Sequence, residues 1–326
     1  MSRQGTIDVH AHFLPERYRK AYQQLGTPGP DGLAAWPDWT VGQALRTMDE
    51  LGVELAILSV SSPGVHFGDD RSATVLARGV NEDGATLAAQ HPDRFGFFAS
   101  LPLPDVDSAL DEIAYALDQL GADGVVLLSN YHGTYLFDPR FRPVFDELDR
   151  RGTVVFLHPT SPPCWEQTAF EQPRSLIEFP FETTRAITGL IVTGALDRYP
   201  RLRIIVPHGG GALPSLADRI HTLGQLTAER RGADAVDALA ILRRLHYDLA
   251  GFPLDTQLPS LLGLVPPSQL LYGTDWPFTP QLQITESAHR IAHTHLLSND
   301  DRHLIRRRNA RQLFERFGQP HAPNNP

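Results

Sequence analysis

Eight short apolar runs, separated by stretches of helical periodicity, constrain this chain more than any other feature. The runs fall at 6–9, 55–59, 95–99, 124–128, 153–157, 202–206, 245–249 and 269–272. Between them, residues 41–49, 108–120, 142–151, 176–198 and 213–230 space their apolar positions as amphipathic helices do. Near-continuous apolar strands need cover on both faces, and strands alternating with helices call for a parallel sheet. Eight such units predict an α/β fold, a closed (β/α)8 barrel of the TIM type. The competing open, doubly wound sheet lacks its signature, because no Gly-x-Gly-x-x-Gly follows the first strand. We therefore expect a single barrel domain over 1–317 and a flexible Pro/Asn-rich tail over 318–326. A Pro/Gly/Trp-rich segment at 26–37 reads as a loop insertion after strand one that caps a pocket. Thr40 and Gly52 are the expected start and stop of the helix that follows it.

A barrel gathers the carboxyl ends of its strands on one face, where such folds place their chemistry. Ligand-type residues recur at those ends. His10 and His12 close strand one and, by strand alternation, share a face, with Val9 and Ala11 on the other. His158 closes strand five, His208 follows strand six and Asp275 follows strand eight. A metal needs three or four protein ligands and a position left open, and His10, His12, His158 and Asp275 meet that need. His208 is then free to act as a general acid or base. Gly209, Gly210 and Gly211 either let backbone approach a ligand or form the turn into the next helix.

Composition excludes several chemistries. The net charge of -9 argues against nucleic acid or an anionic membrane as partner. The lone cysteine, Cys164, precludes an intrachain disulfide, and no apolar run is long enough to span a bilayer. No secretory pattern opens the chain, so the expected location is the cytoplasm. Its only lysine, Lys20, lies eight residues past His12, away from any strand end. Schiff-base, Walker-type and carbamylated-lysine chemistry are correspondingly disfavoured.

These motifs together resemble the amidohydrolase superfamily, and within it the branch that decarboxylates aminocarboxymuconate semialdehyde, γ-resorcylate and 6-methylsalicylate. The resemblance rests on Asp8-Val9-His10-Ala11-His12-Phe13, Arg46-Thr47-Met48-Asp49, Asn81-Glu82 and Phe156-Leu157-His158-Pro159. It continues through Phe181-Glu182-Thr183-Thr184, Pro207-His208-Gly209-Gly210 and Tyr272-Gly273-Thr274-Asp275-Trp276. It implies a distorted barrel, one divalent metal on His10, His12, His158 and Asp275, and His208 as a catalytic group outside the ligand set. Some branch members carry Glu-x-His first and tend toward manganese; His-x-His leans toward zinc. Where a bridging lysine would stand after strand four, this chain has Ser129 and Asn130, which favours one metal over two. A homodimer is the branch expectation.

The reaction implied is non-oxidative loss of carbon dioxide from a small aromatic or unsaturated carboxylate with a neighbouring oxygen, such as an ortho-hydroxybenzoate like 6-methylsalicylate. The metal would hold both oxygens, and Asp275 or His208 would protonate the ring carbon. The alternative is a hydrolase of a lactone, ester or amide that uses metal-bound hydroxide, and a third reading is a non-catalytic metal-binding scaffold. Arg46 is the candidate anion clamp or else a solvated helix residue. Glu182 supports a ligand or faces a helix dipole. His132 is a candidate substrate contact, and Phe13, Trp276 and Phe278 are pocket walls or core. His289, His293 and His303 read as a solvated helix face, and Cys164 as a loop residue without catalytic partners.

Overall fold

The computed structural model describes residues 5–232, 234–251 and 255–317. Its eight long-range strands are β1 (Thr6–His12), β2 (Val53–Ser59), β3 (Phe95–Ser100), β4 (Gly124–Leu128), β5 (Val154–His158), β6 (Arg203–Val206), β7 (His246–Asp248) and β8 (Leu270–Leu271). They pair in chain order and all in parallel. The sheet closes on itself where Val9 donates to the Tyr272 carbonyl at 3.0 Å and His12 to that of Trp276 at 2.8 Å. This is the (β/α)8 barrel that the periodicity predicts. The expected tail at 318–326 lies outside the described residues.

Local chemistry explains the helix boundaries near the mouth. Thr40 accepts from the Gln43 N–H and starts the helix Val41–Leu51, which Gly52 ends in the left-handed conformation at φ 67°. The helical stretch expected at 176–198 is broken at Gly194 (φ 67°) into Glu178–Val192 and Ala195–Arg198. Two short paired segments, Asn130–Tyr131 and Thr134–Tyr135, form a hairpin in the loop after β4 that periodicity does not signal.

Two apolar layers hold the barrel. One lies between the strands and the surrounding helices. The other fills the interior with Ile7, Val9, Ile57, Phe98, Val126 and Phe156, and is sealed by Leu313 and Phe314. The Leu313 carbonyl accepts from Arg203 at 2.8 Å, so this seal sits at the amino-terminal end of β6. The opposite, carboxyl-terminal face is left open for chemistry.

One expectation needs correction here. Strict alternation puts Val9 on the side away from His10, yet Val9 packs in the interior cluster with Phe156, and the His10 ring lies 4.8 Å from that same Phe156 ring. The reason is a register irregularity between Asp8 and Ala11 in the pairing of β1 with β2. Such an irregularity lets the side-chain alternation change phase within one strand.

Candidate active site

At the open face, His10, His12, His158 and Asp275 bring their ligand atoms within 4.8 Å of one another. The two Nε2 atoms of His10 and His12 are 3.2 Å apart, and Asp275 Oδ1 lies 3.4 Å from the first and 3.1 Å from the second. The His158 ring lies 5.6 Å from that of His10 and 5.0 Å from that of His12, and strand alternation puts it on the same face of β5 as Val154 and Phe156.

What the other ring nitrogens do decides what these atoms offer. His158 Nδ1 is 2.7 Å from the Pro159 carbonyl, which can only accept, so Nδ1 carries the proton. His12 Nδ1 is 3.2 Å from the Ser59 carbonyl and 2.9 Å from its hydroxyl. His10 Nδ1 is 3.0 Å from Asp248 Oδ2, a fully buried carboxylate. Each imidazole is thereby left with its Nε2 lone pair aimed at the shared point. Lone pairs this close repel unless a cation lies between them, and three nitrogens with one carboxylate oxygen form a donor set that suits a divalent metal. The residues present therefore fit the metal that the sequence implies.

Electrostatics agree. Burial would lower the pKa of His10, but Asp248 and Asp275 outweigh it and raise it to about 10, which marks a place where positive charge is favoured. Burial lowers those of His12 and His158. Asp275 resists the upward pull of burial because His10, His12 and His208 hold its carboxylate well below the usual range.

Asp275 is set at φ 58° and His208 at φ 55°, both left-handed and uncommon for residues with a side chain. The surroundings enforce this. A Cβ on Gly273 would come 2.8 Å from the His10 Cβ, so only glycine lets the chain after β8 pass so near β1. Asp8 then ties the two together by accepting from the Thr274 N–H at 3.1 Å and hydroxyl at 2.6 Å, while the Asp275 N–H donates to the His10 carbonyl at 2.7 Å. The His208 loop is clamped by Gln257, whose amide donates to the carbonyls of His208 at 2.8 Å, Gly209 at 3.1 Å and Gly211 at 2.8 Å. Its glycines serve this turn: a Cβ on Gly211 would collide with the Pro180 carbonyl, and one on Gly210 would press on the Tyr247 ring. His208 Nε2 faces Asp275 Oδ2 at 3.8 Å.

Above the cluster opens a cleft of about 640 Å³ that reaches His158, His208 and Asp275. Leu33, Leu176, Phe179 and Phe278 give it apolar walls, and Asp31, Ser61, Ser62 and Gln257 give it polar points. Phe278 meets the His12 ring edge-on at 5.5 Å. Neither arginine nor lysine lines it among the described residues. A second cavity, about 450 Å³, lies between the hairpin and the helix Arg142–Arg151 and holds none of the clustered histidines.

Several sequence candidates stand elsewhere. Arg46 is exposed on its helix and does not line the cleft, because the buried side of that helix is taken by Ala44, Thr47 and Met48. Phe13 is core, edge-on to Trp39, and Trp276 is partly buried against the same core, lining with Ala44 and Met48 a small cavity separate from the cleft. His132 is exposed and pairs with His66 at 2.7 Å, outside the cleft lining. Glu182 is buried but bonds to none of the four clustered residues. It accepts from Tyr135 at 2.8 Å, Asn130 at 2.9 Å and Arg185 at 3.2 Å, and so orders the hairpin loop. His289 and His293 stack on each other at 4.1 Å on an exposed helix face, His303 is exposed, and so is Cys164. Asp248 and Asp31 escaped the sequence reading. Asp248 ends β7 and meets the same strand-end criterion as the histidines; Asp31 lies in a loop and carries no such signal.

A buried three-histidine, one-carboxylate cluster at the carboxyl end of a (β/α)8 barrel, with a further histidine facing it, defines a metal-dependent barrel enzyme. The family model described as Amidohydrolase matches residues 7–316, and the chain belongs to that family, in its decarboxylase branch. It is 36% identical to the 6-methylsalicylic acid decarboxylase of Penicillium expansum, over 84% of this chain and 85% of that protein. It is 30% identical to the γ-resorcylate decarboxylase of a Rhizobium species, over 96% of this chain and 95% of the relative. A crystal structure of an amidohydrolase II superposes with a TM-score of 0.90 at 36% identity, covering 94% of this chain and 99% of that one. No described helix is long and apolar enough to cross a membrane.

Proposed function

We propose that this chain is a carboxy-lyase that removes carbon dioxide, without oxidation, from a small aromatic acid of the ortho-hydroxybenzoate type. The observation that carries the reading is the double placement of Asp275, with Oδ1 among the clustered Nε2 atoms and Oδ2 facing His208, at the foot of a cleft walled by apolar side chains. The relatives named for 6-methylsalicylic acid and γ-resorcylate support the substrate class.

A divalent metal held by His10, His12, His158 and Asp275 would supply positive charge for the substrate's carboxylate and its neighbouring oxygen. The nitrogen-rich donor set favours zinc over manganese. The protein's own part is orientation and proton handling. Leu33, Phe179 and Phe278 hold the ring and keep water from it. His208, with Asp275 Oδ2 as its nearby carboxylate, delivers a proton to the ring carbon that bears the carboxylate. The carbon–carbon bond then breaks, its electron pair restores the ring, and carbon dioxide leaves.

Exposed apolar side chains in the segment that also supplies Leu176 and Phe179 to the cleft, namely Phe170, Leu176, Ile177 and Phe181, support a homodimer that covers them, and the single cysteine suits a reducing cytoplasm. Sedimentation of the purified protein tests the dimer. The function is tested by carbon dioxide release from ortho-hydroxybenzoates by protein of known metal content. Turnover that stops on chelation and in His208→Ala supports the reading. Turnover of lactones or esters with none of hydroxybenzoates would overturn it.

A further inference from the structure

The loop inserted after β1 folds back over the barrel mouth and places one carboxylate in the cleft, that of Asp31. Its setting is unfavourable in two ways. Asp31 sits at φ 51° in the left-handed region, followed by Gly32 at φ 84°. Burial raises its pKa above the usual carboxylate range, against the hydroxyls of Ser161 and Ser62 and the charge of Arg174. The turn is nevertheless anchored. The Ser161 hydroxyl donates to Asp31 Oδ1, and the Arg174 N–H donates to the Asp31 carbonyl at 3.0 Å.

The surroundings indicate what this group meets. The Arg174 guanidinium lies 3.5 Å over the Trp165 ring and is not among the cleft-lining residues, so no cation from the lining pairs with the carboxyl group inside the cleft. Ser62, bonded to Thr160 at 2.7 Å, and Ser61, 3.4 Å from His158 Nε2, line the same wall. Leu33, Leu176, Phe179 and Phe278 offer apolar surface to the faces of a ring. A methyl or hydrogen on the ring at this point would add no donor to a carboxyl group that has acceptor capacity beyond its bond from Ser161, and a second carboxylate would be repelled. A hydroxyl would satisfy it.

We infer that Asp31 is a specificity residue: its carboxyl group, steadied by Ser161, accepts a hydrogen bond from a hydroxyl on the substrate ring other than the one beside the reacting carboxylate. The inference rests on the decarboxylase reading and names which acids of that class the cleft selects.

The test compares salicylate with the dihydroxybenzoates that add one hydroxyl at each remaining ring position. The readout is the ratio of kcat/KM for each dihydroxy acid to that for salicylate. At one ring position the wild-type ratio is expected to be about 10 to 100, the range for a hydrogen bond to a charged or buried polar group. Asp31→Gly, which tolerates the left-handed backbone, is expected to bring that ratio close to one, and Asp31→Asn to retain part of it. A ratio unchanged in both variants, or no hydroxyl preference in the wild type, would overturn the inference. Dissociation constants of the same acids with metal-loaded protein, from calorimetry, provide the same ratio without turnover. Wild-type protein that binds by this preference but releases no carbon dioxide overturns the decarboxylase reading and keeps Asp31. Turnover with a ratio indifferent to Asp31 does the reverse.

Discussion

Replacing Asp248 by asparagine alters the candidate metal site through a residue that is not itself a ligand. The Asp248 carboxylate accepts three hydrogen bonds: from the His208 N–H at 3.1 Å and the Ala250 N–H at 3.0 Å on Oδ1, and from His10 Nδ1–H at 3.0 Å on Oδ2. Asparagine is nearly isosteric. Its carbonyl keeps the two backbone donors, which puts its NH2 group where Oδ2 was, facing His10. Donor then meets donor, and the relief available to the imidazole is to move its proton to Nε2, removing one of the three lone pairs at the cluster. Losing such support for a metal-bound histidine typically costs 10- to 100-fold in metal affinity, or about 1.4 to 2.7 kcal/mol. The assay is competition for metal against a chromophoric chelator, with metal content by mass spectrometry and folding by circular dichroism. A folded Asp248→Asn protein that binds metal within about threefold of wild type would refute the reasoning, since the tautomer would then not be set by Asp248.

Other outcomes follow from the same contacts. Arg46→Ala should leave KM within about twofold, because an exposed side chain outside the cleft contributes little, and steady-state kinetics checks this. Glu182→Gln should cost about 1 to 3 kcal/mol in chemical denaturation, by weakening the contacts to Tyr135, Asn130 and Arg185, without changing metal stoichiometry. Asp123 provides a pH test away from the mouth. Burial raises its carboxyl from 3.8 to about 6, against Arg316 and the Phe97 N–H. The folded state therefore binds the extra proton between about pH 4 and 6; this contribution is fully present below 4 and is lost as pH rises through 6, up to about 3 kcal/mol. Asp123→Asn should flatten the fall in stability over that window, and an unchanged slope in urea titrations would count against the assignment.

Much of this protein is legible from one chain because two different periodicities encode it. Apolar runs of strand length alternating with helical spacing determined eight parallel strands, and a closed parallel barrel has one face for all its carboxyl ends. His10, His12, His158, His208 and Asp275 could therefore be brought together on paper, each being tied to a strand end by only a few residues. Asp248 was equally accessible by that criterion, at the end of β7.

What lay beyond the sequence depends on contacts between segments far apart in the chain. The change of phase after Asp8 that places Val9 in the interior cluster while the His10 ring meets Phe156 arises from how β1 registers on β2. Arg46 looks outward because Ala44, Thr47 and Met48 claim the buried side of its helix, a choice made by the neighbouring strands. The proton positions on His10, His12 and His158 are set by Asp248, Ser59 and Pro159, two of which are remote in sequence. Asp31 enters the cleft only because Ser161 and Arg174 hold its turn there. Periodicity is a local property, and it determined the fold and the residues at its mouth. Orientation, tautomer and the shape of the cleft are set by non-local packing and hydrogen bonds, which only the tertiary structure decided.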